Sequence, residues 1–127
     1  MESTGYNYLS SVKKQFRYYQ SVGDRALTQV TEEQMHWQYN PESNSIAIII
    51  KHIAGNSISR WSDFLTSDGE KDWRDRDEEF EDTSSSKDEL IALWNKGWQC
   101  MYDAIDPLTE EDLLYTIYIR NEAHTVI

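Results

Sequence analysis

The sequence has one cysteine, Cys100, two prolines, five glycines, and only twelve basic side chains against 23 acidic ones in 127 residues. A single thiol excludes an internal disulfide. No apolar run approaches the roughly 18 to 20 residues that a membrane span needs, and no segment reads as a signal peptide. Together these absences point to the cytoplasm and away from a membrane. A net charge of −11 opposes contact with phosphate backbones or anionic lipid, and nucleic-acid binding would need a basic patch that the linear sequence does not display. Phosphate-binding glycine loops, Cys-x-x-Cys, His-Glu-x-x-His and Gly-x-Ser-x-Gly are all missing, so the common motif-bearing enzyme classes gain no support.

What is present describes one folded domain over residues 1–127. The composition is 39% hydrophobic and 13% aromatic, which a disordered chain would lack, despite a mean hydropathy of −0.74. The organising stretch runs from Ser43 to Leu65. Ile46, Ile49, Ile50, Ile53, Ile58, Trp61 and Leu65 recur at three- and four-residue steps, predicting a buried helix over about 45–66 with Asn44 or Ser45 as N-cap. The run Ile48–Ile50 also suits a strand, but the pattern is too long for one. Before it, Leu9, Val12, Phe16, Tyr19, Ala26, Leu27 and Val30 mark an amphipathic helix over about 6–29. Gly23 lies on its stripe, where it would admit a close neighbour. Between the two, Thr31 can cap a single turn carrying Met35 and Trp37 before Asn40-Pro41 breaks the chain.

Residues 67–85 are acidic and aperiodic and read as a long crossover loop. Their acids do not match a calcium loop. Trp73 and Phe80 are expected to pin this segment outside the core, with Arg74 and Arg76 in weak exposed pairs, and its length makes it a candidate lid. Ser86 and Glu89 form a capping box for a third helix over about 87–105, striped with Ile91, Trp94, Trp98, Met101 and Ile105. Pro107 ends it, Thr109 caps a short acidic turn, Tyr115–Arg120 is ambiguous but alternates well enough to be extended, and His124–Ile127 reads as the opening of a further helix.

Chemistry concentrates on His52, the one ionisable candidate within the apolar helix, with Asn56 a turn away. It is expected to face the interior, near the first helix. His36 reads as a surface or packing histidine and Cys100 as a structural, half-buried thiol.

The stretch from Asn40 to Phe80, with its Lys-His-Ile-x-Gly-Asn and Thr-Ser-Asp-Gly-Glu-Lys runs, resembles a subfamily of the DinB-like, or YfiT-like, proteins. Leu27–Gln38 is similar to that family's connector and Tyr118–Ile127 to its lead-in to the last helix, so the likeness covers nearly the whole chain. The resemblance implies an all-α, antiparallel four-helix bundle, often a homodimer, holding a divalent metal, zinc or nickel, on three histidines. It also implies thiol-dependent transferase or isomerase activity in some relatives. His52 matches the first metal histidine. The other two form a His-x-x-x-His pair on the family's last helix, and this sequence stops at Ile127 ahead of it. His124 lies upstream of that position and is no substitute. The expectation is therefore a bundle with its last helix largely missing, an incomplete site, and weak metal binding. Three functions follow: a metal-dependent enzyme acting on a thiol or small molecule, a non-catalytic dimeric interaction module, or a small-ligand binder using Trp61, Trp94 and Trp98.

Overall fold

The computed structural model describes residues 3–81 and 84–127. Five helices occur in the described residues: α1 (Thr4–Thr28), α2 (Glu32–Met35), α3 (Ile46–Trp61), α4 (Arg76–Glu79) and α5 (Lys87–Ile105). A 3-10 turn over Glu110–Leu114 and the strands β1 (Thr116–Ile119) and β2 (Glu122–Thr125) follow. The chain is mostly helical.

Its helix starts are fixed by side chains that the sequence advertises. Ser45 accepts from the Ile48 amide at 3.1 Å and caps α3. Thr31 with Gln34, and Ser86 with Glu89, form reciprocal capping boxes on α2 and α5. Asp63, in the left-handed region at φ 49°, ends α3 earlier than the apolar pattern suggests. The following turn closes with the Ser67 amide on the Asp63 carbonyl.

The principal packing is α3 on α5. One apolar cluster gathers Leu27, Met35, Ala47, Ile50, Leu90 and Trp94. A second gathers Leu9, Phe64, Met101, Tyr102, Ile105, Leu108 and Leu113, and Trp98 packs against both. Gly23 behaves as its place on the stripe suggests: a Cβ there would lie 2.7 Å from Trp94 Cζ2, and beside it Trp94 Nε1 donates to Asp24 at 2.8 Å. Because α5 covers a single face of α3, the buried residues there are Ala47, Ile48, Ile50, Ala54 and Ser59. Ile49 and Ile53, expected inside, are 45% and 37% exposed. Tyr19 and Trp37 are likewise on the surface.

The chain end differs from the helical expectation. Thr116–Ile119 and Glu122–Thr125 pair antiparallel, with Ile117 opposite His124, so His124–Ile127 opens no helix. Arg120 and Asn121 take φ 51° and 64°, the pair of positive angles a two-residue hairpin turn requires. Their amides both donate at 2.8 Å to the Asp68 carboxylate, and the Gly69 amide donates to the Tyr118 carbonyl at 2.8 Å. The hairpin thus closes on the segment after α3. The amides of Asn121, Glu70 and Arg120 hold the Asp68 carboxyl below its ordinary range, Asn121 foremost. Fully buried Ser59 fastens the same segment to α3, donating to the Gly69 carbonyl and accepting from the Lys71 amide.

Candidate functional site

His52 stands in the middle of α3, and α4 is built against it. Asp75 caps α4 by accepting from the Glu78 amide at 3.0 Å. Lys51 Nζ donates to the carbonyls of Glu78 (2.9 Å) and Glu81 (2.6 Å), tying the far end of α4 to α3. Glu79 is thereby set over α3, where its carboxylate accepts from His52 Nδ1 at 3.2 Å. A carboxylate only accepts, so Nδ1 is the donating nitrogen, and in the neutral ring Nε2 carries the lone pair. Gly55 makes this approach possible: a Cβ there would fall 2.0 Å from Glu79 Oε2. The Phe80 ring covers the imidazole at 4.9 Å between centroids.

Arg74 completes the arrangement with two donors to Glu79, Nε to Oε2 and Nη2 to Oε1, each at 3.0 Å. Glu79 and Arg74 side chains are 10% and 11% exposed, and His52 34%. Expectations for residues 67–85 change accordingly. Arg74 is in a buried ion pair rather than a weak surface one, Trp73 is 61% exposed, and Phe80 anchors through His52. The part of that segment at 82–83 lies outside the described residues.

His52 is half-buried, as an interior position would have it, yet its neighbours come from α4 and not from α1. The other two imidazoles are elsewhere. His36 Nε2 pairs with the Ser85 carbonyl at 2.8 Å, and His124 is exposed on β2. Among the described residues no three His, Cys, Asp or Glu side chains come together as metal donors. Cys100 is half-buried, 3.4 Å from Ser62 Oγ, on a cleft of about 650 Å³ that Trp61 and Phe64 also line. Trp94 and Trp98 meet edge to face at 5.6 Å in the core.

Sequence reading found His52 but missed Glu79 and Arg74, whose charges looked like the rest of an acidic, solvated segment. Gly55 carried the missing signal, since a glycine within a helix and one turn from a histidine marks a close approach.

The site is an imidazole–carboxylate–guanidinium chain mounted on a helical scaffold. The protein belongs to a family described as protein of unknown function (DUF1572), whose model matches residues 3–127. No curated protein and no solved structure matches it. Among the described residues, no helix is long and apolar enough to cross a membrane.

Proposed function

We propose that this chain is a DinB-like helical-bundle domain of a metal-dependent, thiol-using transferase, in which His52 is the one metal donor that the described residues supply. The observation carrying this reading is the His52–Glu79 pair. Metal-bound histidines characteristically donate their second ring N–H to a carboxylate, which fixes the tautomer and raises ligand basicity. In the neutral ring Glu79, itself held by Arg74, leaves Nε2 as the lone-pair donor. By themselves these residues do not fit a resident zinc or nickel centre, because a catalytic zinc site takes about three protein ligands and only one is assembled. Further donors would have to come from outside the described residues, and no catalytic step is derived through the metal. What the chain's own groups do is orient the imidazole, hold its proton on Nδ1 and shield one face of the ring with Phe80.

Nickel titration followed by imidazole NMR tests this. The His52 resonances are expected to shift and broaden under weak binding, with no response in His52→Ala. Unperturbed His52 resonances at saturating metal would refute the reading.

A second reading, a homodimeric interaction module without catalysis, is favoured by Ile49 and Ile53. These exposed apolar residues flank His52 on the face of α3 turned away from α5. Light scattering at micromolar concentration checks it, and a stable 15.0 kDa monomer would remove it.

A further inference from the structure

Although the chain is acidic, its cations are not evenly spread. Of twelve basic side chains, Arg60, Lys71, Arg74, Arg76 and Arg120 line a single cavity of about 50 Å³ between the end of α3, the segment before α4 and the hairpin turn. No stretch of sequence announces this patch, because three separate segments supply it. Four of the five contributors are held in place. Lys71 Nζ donates to the carbonyls of Ser59 and Asp68, Arg74 is locked on Glu79, and Arg120 sits on the turn that Asp68 clamps. The Arg60 stem lies across the backbone at Gly69.

Charge within the cavity is unbalanced. Glu70 lies 3.6 Å from Arg120, both more than half exposed, and Glu79 satisfies Arg74. Asp68 and Asp63 attract Lys71, so of the five cations Arg60 and Arg76 are left uncompensated. Arg60 and Arg76 have no carboxylate at ion-pair distance among the described residues, in a protein with 23 acidic side chains to choose from. Burial also pushes the Lys71 ammonium below its ordinary range, outweighing the attraction of Asp68 and Asp63, a cost that a further anion would offset.

We infer that this cavity binds a phosphate group, either free phosphate or the monoester end of an organic molecule. A phosphate dianion carries about −1.5 to −2, which answers the excess better than a carboxylate does, and guanidinium forks engage its oxygens in pairs. The volume is several times the ~10–15 Å³ that one water needs, enough for a headgroup but not an organic body. Such a body would extend into solvent past Arg76 and Arg120, both exposed. A single recess, rather than a basic stripe, favours one small ligand over nucleic acid.

The test is calorimetric titration of the full chain with inorganic phosphate, phenyl phosphate and acetate in phosphate-free buffer. Arg60→Gln, Arg76→Gln and, as a control on α1, Lys14→Gln are titrated alongside. Saturable one-site phosphate binding is expected, weakened about tenfold by either arginine substitution and unchanged by Lys14→Gln, with acetate about tenfold weaker. Tighter phenyl phosphate binding would assign an organic monoester, and equal or weaker binding free phosphate. Four results would each overturn the assignment: no saturable binding of either phosphate, acetate binding as well as phosphate, unchanged affinity in Arg76→Gln, or displacement of phosphate by a tighter-binding single-stranded oligonucleotide. Arg76 is exposed, so its variant carries the test even if Arg60→Gln fails to fold by circular dichroism. Neither residue touches His52 or Glu79, so failure here leaves the metal reading standing.

Discussion

Replacing Arg74 with methionine separates the buried ion pair from an ordinary surface one. The substitution keeps an unbranched chain of similar reach while removing both donors, at 3.0 Å each, that Glu79 receives. Glu79 would remain, with its side chain 10% exposed, and its other side-chain partner among the described residues would be the His52 ring at 3.2 Å. Leaving one partner of a buried pair uncompensated costs about 3–5 kcal/mol. An exposed pair would cost about 0–1 kcal/mol. Urea denaturation of the wild type and Arg74→Met distinguishes these ranges without ambiguity. The double variant Arg74→Met/Glu79→Gln should recover much of the loss, because the orphaned charge goes with it. A single-variant loss below about 1 kcal/mol, or full additivity in the double variant, would refute the reasoning.

Three more outcomes are expected. In Gly23→Ala, a gain in helix propensity of about 1 kcal/mol opposes the clash with Trp94, whose rigid ring is fixed by Asp24. Overpacking at about 1–3 kcal/mol should prevail as a lower Tm, and a raised Tm would deny the close approach. Ser59→Ala leaves the buried end of α3 without its bonds to Gly69 and Lys71 and should cost about 1–3 kcal/mol in urea; no loss would mean that the segment is fastened otherwise. Asp68 has a folded pKa below its unfolded value, so its stabilisation is complete above the ordinary 3.8 and is lost as pH falls through the lower folded value. The Asn121 amide resonance should therefore titrate with a midpoint under 3.8, whereas a midpoint above it would contradict the clamp.

The elements that sequence revealed are those whose cause is local. Ser45, Thr31 and Ser86 cap helices through atoms within three residues, and Pro107 stops α5 from the same distance. What escaped depends on contacts far apart in sequence. Ile49 and Ile53 carry a sound helical period, yet which apolar face is covered is decided by where α5 lies. The hairpin was hidden because Arg120-Asn121 lacks glycine, and its turn is supported by Asp68, 52 and 53 residues away. Of the candidate site, His52 stood out as a polar group in an apolar helix. Glu79 could not be told from its acidic neighbours until α4 folded over Gly55.

The way α1 is attached sets how the molecule loosens. Only Gly5, Leu9 and Leu27 of its 25 residues are buried. Much of its hold is polar and aromatic: Arg17 lies over Tyr102 at 4.3 Å and pairs with Asp106, and Gln20 accepts from the Tyr102 hydroxyl at 2.7 Å. A helix rooted so shallowly is expected to detach as a unit while α3 and α5 stay joined. Trp98, stacked on the Tyr102 that α1 holds, has its Nε1 buried with no hydrogen-bond partner among the described residues, and water reaching that indole would offset part of the opening. Amide hydrogen exchange should accordingly divide the chain in two, with α1 exchanging through a low-energy, sub-global opening and the α3–α5 pair only with complete unfolding.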